Sequence, residues 1–279
     1  MKADPSAPGR VAFVGAGPGQ ADLITLRGAQ RLGRADVVLF DSLADPALRA
    51  LAPKARWVDV GKRGFSGVPH GSREPGAENA GQAMINALLV KHALAGSFVV
   101  RLKGGDPSVF GRLEEELEAL AAADIECEVV PGVSAAEGCA AYAGIPLTLR
   151  GVSQAVLLTT GHSQDDSTAA VAQFRPGQTL ALYMGVAQYS EIGAALIARG
   201  HDPGTPVAIV ENGTTQRQRV IRTVLGELAR AQAELAISPP ALLLVGETTR
   251  FAERYSWFEP SKVEVFGDEA SRARARVSY

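Results

Sequence analysis

Short apolar runs recur along the first half of the chain, and few of them alternate between polar and apolar positions. Runs of this kind, rich in Val or Phe, are typical of strands buried on both faces of a parallel sheet. We predict strands at residues 11–14, 37–40, 57–60, 98–102 and 126–130. Segments with helical spacing lie between them, at residues 25–34, 78–95 and 113–123. The alternation of strand and helix predicts an α/β fold with a mainly parallel sheet.

A second series of elements follows the stretch VVPGVSAAEG, in which Ser134 is a plausible helix cap. It contains apolar runs at residues 154–160, 179–183, 206–210 and 241–245 and helical segments around 190–199 and 224–235. We therefore predict two α/β domains, residues 10–131 and 132–249, with tails at 1–9 and 250–279. The turn-rich segment 64–81 is either a surface insertion or a functional loop.

Composition and charge narrow the range of functions only a little. Apolar residues make up 46% of the chain, charged residues 21%, and the net charge is -2. These values are typical of a globular protein and give no overall reason to expect a nucleic-acid or membrane partner. Cys127 and Cys139 lack metal-ligand spacing, and we expect no metal. Because the sequence has neither a membrane span nor a signal peptide, we expect a cytoplasmic location.

Glycine-rich turns follow or adjoin the predicted strands in both halves of the chain. They begin at Gly15, Gly104, Pro131, Met184 and Asn212. Glycine lets the backbone approach a ligand closely, and α/β proteins place ligands at the carboxyl edge of the sheet. Several such turns predict one site that is built by both domains.

The first of these turns resembles a dinucleotide-binding fingerprint, G-x-G-x-x-G, only in part. Gly15 and Gly17 fit that pattern, but Pro18 interrupts it and Gln20 replaces the third glycine. Asp41, which ends the second predicted strand, has the place of the acid that binds a ribose. An NAD-dependent oxidoreductase therefore stays an alternative.

A longer ordered set of motifs carries a family resemblance. VGAGPG, VVLFD, VGKRG, VRLKGGDPSVFGR, VVPGVSA, YAGIPLT, TTGH, YMG, PVAIVENGTTQRQRV and PALLLVGE occur in this order between residues 14 and 247. The set resembles the uroporphyrinogen-III C-methyltransferases within the tetrapyrrole methylase superfamily. The resemblance implies two α/β domains of the tetrapyrrole methylase type, a homodimer, and S-adenosylmethionine in the cleft between the domains.

The same resemblance implies a set of cofactor contacts. They are Pro18, Gly104, Gly105, Asp106, Val109, Ser134, Ala135, Met184 and Gly213, with Ala241 nearby. Met184 offers a soft, adaptable surface for such a ligand, and core packing is its alternative role. The implied reaction transfers methyl groups to two pyrrole carbons of uroporphyrinogen III, which gives precorrin-2 and S-adenosylhomocysteine.

The implied catalytic residues are Asp41, Lys62 and Arg112. Asp41 could accept a proton or hold a pyrrole N–H, and Lys62 could supply a proton or bind a carboxylate; both could also be binding residues only. The substrate is a polycarboxylate, so we expect positive charge around it. The candidates are Lys62, Arg63, Arg101, Lys103, Arg112 and Arg150, with Arg112 and Arg150 favoured.

Three departures from the family pattern bear on substrate geometry. FGRGGEE of relatives is FGRLEEE here, so Leu113 and Glu114 replace glycines that would allow a positive φ. PLTHR is PLTLR, which loses a histidine at Leu149, and the segment 64–81 replaces a short link.

Alternative functions follow from these departures and from the superfamily. They are a methylase of a later corrin precursor, a methylase of a protein histidine derivative or an rRNA ribose, and a binding protein without turnover. The sequence leaves open whether the downstream product is sirohaem, cobalamin or haem d1.

Overall fold

A computed structural model of the protein describes residues 9–61, 81–161, 171–252, 254–258 and 262–265. The chain divides into two compact units, Met1–Ala135 and Ala136–Tyr279. Each unit has its own sheet and its own apolar core.

The first unit is built on a five-stranded sheet in which every strand pair is parallel. The strands are β1 (Val11–Gly15), β2 (Val37–Phe40), β3 (Arg56–Asp59), β4 (Val99–Lys103) and β5 (Cys127–Val130). Their order across the sheet is β3-β2-β4-β1-β5, which puts β1 in contact with both β4 and β5. All five predicted strands of this half are confirmed.

Apolar side chains cover both faces of the central part of this sheet, which explains why β1 and β2 are continuous apolar runs. Helices α2 (Gln82–Leu94) and α3 (Leu113–Ala122) contribute Leu89 and Leu120 to a cluster on one face with Phe13. Helix α1 (Leu26–Leu32) contributes Leu32 to the cluster on the opposite face. The carboxyl ends of the parallel strands therefore lie together at one edge, where the glycine turns begin.

The second unit contains a six-stranded sheet of mixed direction. Its strands are β6 (Ala155–Thr160), β7 (Gln178–Tyr183), β8 (Pro206–Glu211), β9 (Arg219–Val224), β10 (Ala241–Val245) and β11 (Lys262–Val265). The order is β11-β9-β8-β10-β7-β6. The pairs β7–β10, β8–β10 and β8–β9 are antiparallel, so the prediction of a mainly parallel sheet is wrong for this unit.

Two of these strands differ from the sequence prediction. Strand β9 is absent from the sequence prediction because Arg222 and Thr223 interrupt its apolar residues, yet both polar side chains are buried. β11 lies within residues 250–279, which the sequence suggests to be a tail, and it pairs with β9 in parallel. The remaining helices are α4 (Ala135–Tyr142), α5 (Tyr189–Ala198) and α6 (Leu228–Glu234).

Candidate active site

Three glycine turns meet at the carboxyl edge of the first sheet. Gly15 ends β1, Gly105 follows β4 and Gly132 follows β5. A Cβ atom on Gly15 would lie 2.5 Å from the Gly132 Cα and 2.7 Å from the Gly105 carbonyl oxygen. A Cβ on Gly132 would overlap that same carbonyl oxygen. The backbones of the three turns therefore contact one another and leave no room for side chains. The sequence indicates a glycine turn at each position, but it does not indicate that the three turns meet.

The GAGPG loop is also tied to the turn after β4. Gly17 and Gly105 exchange backbone hydrogen bonds of 3.3 and 2.7 Å, and both have positive φ, +84° and +67°. A short 3-10 turn at Ala21–Leu23 follows, and α1 begins only at Leu26. A dinucleotide site needs a helix that opens directly after the glycines, so this geometry disfavours the NAD-dependent alternative.

Asp106 fixes the turn after β4 by accepting hydrogen bonds on both of its carboxylate oxygens. Oδ1 accepts from the backbone N–H of Ser108 at 2.8 Å and from the Ser108 hydroxyl at 2.5 Å. Oδ2 accepts from the Gly132 N–H at 2.9 Å. Partial burial by itself raises the pKa of Asp106, but these hydrogen bonds outweigh it and the pKa lies below its ordinary value. Asp106 thus stays ionised and joins two of the three turns.

Asp41 lies at the same edge, directly after β2. Its two carboxylate oxygens accept the backbone N–H groups of Leu43 and Gly104, each at 3.2 Å. The side chain is half-buried. The predicted catalytic carboxylate therefore adjoins the predicted cofactor turn. Lys62 and Arg63, the other predicted residues of this region, lie outside the described residues, as does most of the segment 64–81.

Ser134, Ala135 and Val109 also lie near the turn after β4. Ser134 is buried, and Ala135 is the first residue of α4. A Cβ on Gly105 would be 3.6 Å from the Ala135 nitrogen, so Ala135 lies beside Gly105. Val109 donates its N–H to the Asp106 carbonyl at 3.2 Å. Pro18 is half-buried in the GAGPG loop.

Arg101 and Lys103 are not available to a substrate, which corrects their prediction as carboxylate ligands. Both are only 4% exposed. The Arg101 Nε lies 2.9 Å from Oε1 of Glu116, and the Lys103 Nζ lies 2.6 Å from its Oε2. The two cations occupy positions i and i+2 of β4, so they share one face of the sheet, and that face is covered by α3. No motif in the sequence marks Glu116 as the partner of these two cations.

Arg112, in contrast, is exposed. It has φ +52°, in the left-handed region, and its guanidinium forms hydrogen bonds of 2.6 and 2.7 Å to Glu115. The hydrogen bond to Glu115 raises the pKa of Arg112. The side chain borders an open groove of about 510 Å³. The groove is lined by Ser108, Phe110, Gly111, Arg112, Leu113, Glu114, Glu115, Leu117 and Glu118.

Neither Leu113 nor Glu114 has a positive φ in this chain. Leu113 is the first residue of α3 and Glu114 lies in its first turn. The positive φ values fall on Phe110 and Arg112, two positions where relatives and this chain share the motif FGR. Arg150, the other favoured arginine, is exposed in a tight turn that leads into Gly151.

The predicted residues of the second unit lie together at one edge of its sheet. Ala241 pairs with Glu211 across β10 and β8, and the antiparallel register of β10 with β7 places Met184 beside Ala241. Gly213 follows β8, where Asn212 donates its N–H to the Pro240 carbonyl at 2.9 Å. The sequence motifs do not indicate that the ends of β7, β8 and β10 lie side by side.

Met184 has a conformation that core packing does not explain. Its side chain is 54% exposed and its φ is +53°, a strained value for a residue with a side chain. Asn212 and Thr214, on either side of Gly213, have φ values of +47° and +66°. Non-glycine residues in the left-handed region concentrate at binding sites, so these turns are candidates for ligand contact.

Two supporting residues of the second unit were not predicted. The hydroxyl of Tyr183 accepts the backbone N–H of Ala136 at 2.9 Å, which satisfies a donor at the amino end of α4. Cys139 lies directly against Gly213, where a Cβ would overlap its Sγ. The motif YMG contained Tyr183, but nothing in it marked the tyrosine as the partner of a helix end.

The described residues contain no group of three or more His, Cys, Asp or Glu side chains that could hold a metal ion. Within the same residues, no helix has the length and apolar character needed to cross a bilayer.

Comparison with known proteins gives a consistent set of similarities. Residues 10–229 match the sequence family described as Tetrapyrrole (Corrin/Porphyrin) Methylases. The chain is 46% identical over 243 residues to a uroporphyrinogen-III C-methyltransferase of Pseudomonas aeruginosa, covering 87% of this chain and 95% of that protein. It is 47% identical over 262 residues to a sirohaem synthase of Azotobacter vinelandii, covering 92% of this chain but only 54% of that protein.

Solved structures show the same similarity at the level of the fold. A uroporphyrin-III C-methyltransferase of Thermus thermophilus, complexed with S-adenosylhomocysteine, matches with a TM-score of 0.71 and 37% identity over 87% of this chain and 94% of that one. A cobalt precorrin-4 methyltransferase matches with a TM-score of 0.71 and 27% identity over 86% of this chain and 95% of that one.

Proposed function

Since the chain belongs to the tetrapyrrole (corrin/porphyrin) methylase family, we propose that it is an S-adenosylmethionine-dependent C-methyltransferase. Its substrate is uroporphyrinogen III, and its products are precorrin-2 and S-adenosylhomocysteine. The observation that supports this most strongly is the convergence of three glycine turns and Asp41 at one sheet edge. The curated relative with the same reaction in its name is similar over nearly its whole length.

The cofactor-binding residues are those that place bare backbone or soft apolar surface at the sheet edges. Gly104 has no room for a side chain beside Leu43, and Gly105 has a positive φ, so both positions present bare backbone. Met184 offers an exposed thioether. Asp106 already accepts three hydrogen bonds, so it acts mainly by shaping the turn. S-adenosylmethionine supplies an electrophilic methyl group on a sulfonium when it is bound.

The substrate-binding residues are the exposed arginines, because uroporphyrinogen III is a polycarboxylate. Arg112 and Arg150 are exposed, and Arg63 completes the set as a prediction from the family resemblance. Arginine binds a carboxylate through two parallel hydrogen bonds, which Arg112 already makes with Glu115. A substrate carboxylate takes the place of Glu115 in this pairing.

The chemical step needs little covalent help from the protein, because a pyrrole carbon is already a nucleophile. Alignment of the two reactants and exclusion of water lower the barrier. After methyl transfer the ring must lose a proton, and the Asp41 carboxylate either accepts it or holds a pyrrole N–H. Lys62 is proposed as its partner, to supply a proton or to bind a carboxylate.

Methyl transfer to anaerobic uroporphyrinogen III tests the proposal. Asp41→Asn should lower the turnover rate by roughly a hundredfold, because it removes the charge that receives the proton or the N–H. Affinity for S-adenosylhomocysteine should change by less than about threefold, since the amide still accepts one backbone N–H. If Asp41→Asn kept its turnover rate but lost affinity for S-adenosylhomocysteine, the proposed role of Asp41 in the chemical step would be contradicted.

Arg112→Ala tests the substrate site separately. We expect KM for uroporphyrinogen III to rise by roughly tenfold, the loss of one charge-assisted contact. Arg230→Ala is a matched control, because Arg230 is an exposed arginine that pairs with Glu227 three residues earlier. Equal effects of the two variants would show that Arg112 has no special role.

A methylase of a later corrin precursor is the second candidate. It is supported by the structural similarity to a cobalt precorrin-4 methyltransferase. The identity of 27% is lower than the 37% found with the uroporphyrin-III enzyme, so the first candidate is preferred. Competition between the two substrates in one assay separates them.

We further propose that the protein acts as a homodimer in the cytoplasm. The support is the family resemblance and the biosynthetic function named for the relatives. Sedimentation equilibrium of the purified chain tests the oligomeric state, and a single species of monomer mass would contradict it.

A further inference from the structure

The first unit contains a buried charge cluster that the proposed reaction does not use directly. It consists of Arg101, Lys103 and Glu116, none of which is more than 4% exposed. Each oxygen of the Glu116 carboxylate contacts one of the cations. Arg101 also donates to the Leu102 carbonyl at 3.0 Å. One carboxylate between two cations leaves the cluster with one unbalanced positive charge.

Asp41 is a second carboxylate near this cluster, and its charge acts on Lys103. It accepts the N–H of Gly104, the residue that directly follows Lys103. Strand β2 pairs with β4 so that Phe40 lies opposite Leu102, which places the next residues, Asp41 and Lys103, side by side. Burial and the neighbouring Arg101 lower the pKa of Lys103, while the charges of Glu116 and Asp41 oppose that lowering. These are the charged groups that act on Lys103 within the described residues.

The cluster also holds Lys103 in one place. Its ammonium contacts Glu116 on α3, and its stem passes Gly111, where a Cβ would lie 3.1 Å from the Lys103 Cε. A charge in a buried and fixed position acts on a neighbouring carboxylate more strongly than a mobile surface lysine does.

We propose that Lys103 is a positioning residue for Asp41: its buried ammonium, held by Glu116, provides a fixed positive charge near the Asp41 carboxylate, which accepts the Gly104 N–H. Lys103 touches neither the substrate nor the methyl donor. The inference rests on the proposed function, because it assigns Lys103 a role through the carboxylate that handles the pyrrole proton or N–H.

The test is a double-mutant cycle on the full-length chain. Lys103→Met keeps an unbranched stem beside Gly111 and leaves Glu116 paired with Arg101, so we expect a folded protein. The rate of the first methyl transfer should fall by roughly tenfold or more, whereas affinity for S-adenosylhomocysteine should change by less than about threefold.

The cycle is completed in the Asp41→Asn background. There Lys103→Met should have almost no further effect, because the group on which Lys103 acts has lost its charge. Lys103→Arg, which retains the charge, should recover most of the lost rate. If Lys103→Met does not fold, as judged by thermal unfolding, Lys103→Gln serves in the same cycle.

Three results would overturn the inference. Equal losses from Lys103→Met in the wild-type and Asp41→Asn backgrounds would show that Lys103 acts independently of Asp41. Full activity of Asp41→Asn would remove the group through which Lys103 acts. A wild-type chain that does not methylate uroporphyrinogen III would overturn the proposed function itself, and this inference with it.

Discussion

At the scale of single residues, some turns require glycine because a side chain at that position would overlap one neighbouring atom. Gly213 shows this in the second unit, where its missing side chain leaves room for Cys139. The sequence indicates that Gly213 belongs to a motif. It does not indicate which atom lies against it, because that depends on how α4 packs on the turn after β8.

Gly213→Ala should destabilise the protein by about 1–3 kcal/mol, because the new methyl group overlaps the Cys139 Sγ. Cys139→Ala in the same chain should restore part of that loss, since the remaining Cβ lies 3.2 Å from the new methyl group. Urea unfolding of the single and double variants measures both effects. Strictly additive losses would show that Cys139 is not the obstacle.

The Cys139 thiol should make stability depend on pH in the alkaline range. Burial raises its pKa from 9.0 to about 12, so the folded state holds the proton more tightly than the unfolded state does. The resulting stabilisation is complete below pH 9.0 and is lost as the pH rises towards about 12. In this window the loss from this one group is about 1.4 kcal/mol per pH unit.

Cys139→Ala should therefore lose stability less steeply than the wild type between about pH 9 and pH 11. Burial also raises the pKa of Tyr189, so the wild-type slope contains both groups and only the difference between the two chains reports Cys139. Urea unfolding at several pH values gives the slopes. Parallel slopes would contradict the prediction.

At the scale of elements, the first sheet could be predicted and the second only in part. Strands buried on both faces form continuous apolar runs in the sequence, as β1 and β2 do. The other three strands of the first unit contain enough apolar residues to be predicted, although β5 is mostly exposed. Apolar runs carry no information about direction, so the antiparallel pairs of the second sheet were missed. The short link between Glu211 and Arg219 does indicate an antiparallel pair, because a crossover between parallel strands needs a dozen or more residues.

The candidate site, like the two sheets, could be predicted from the sequence only in part. Sequence motifs identified most of the turns, but they could not show that Gly15, Gly105 and Gly132 touch one another. Counting positive charge suggested Arg101 and Lys103 as substrate ligands. That prediction is wrong because α3 covers the face of β4 that carries both residues and supplies Glu116 as their partner.

Gly132→Ala tests the contact among the three turns. The new Cβ overlaps the Gly105 carbonyl oxygen, so we expect a destabilisation of about 1–3 kcal/mol and a loss of S-adenosylhomocysteine affinity of roughly tenfold or more. Gly81→Ala is the control, because its φ is -62° and no atom of the described residues lies within 4 Å of the added Cβ. Unchanged affinity in Gly132→Ala would separate these turns from the cofactor.

Helix α3 tests whether the departures at residues 113 and 114 matter. Replacing Leu113 and Glu114 by the glycines of relatives should destabilise the protein by about 1–2 kcal/mol, since glycine is unfavourable in a helix. Turnover at a temperature where both chains are folded should stay within about threefold, because the positive φ values lie at Phe110 and Arg112 instead. A large gain in turnover for the double variant would show that the departures impair the site.

At the scale of the whole molecule, each unit brings its predicted site residues to one edge of its own sheet. Gly105, Asp106 and Asp41 lie at the edge of the first sheet. Met184, Gly213 and Ala241 lie at the edge of the second. The chain spans about half the length of the sirohaem synthases that it matches and nearly all of the uroporphyrinogen-III C-methyltransferase. Methyl transfer is therefore the activity named for a relative that is similar over 87% of this chain and 95% of its own length.

The most direct measurement is the mass of the product formed from anaerobic uroporphyrinogen III and S-adenosylmethionine. We expect a tetrapyrrole with two added methyl groups and the release of one S-adenosylhomocysteine for each methyl transferred. A purified chain that binds S-adenosylhomocysteine but leaves uroporphyrinogen III unmethylated, while it methylates a later corrin precursor, would contradict the proposed function.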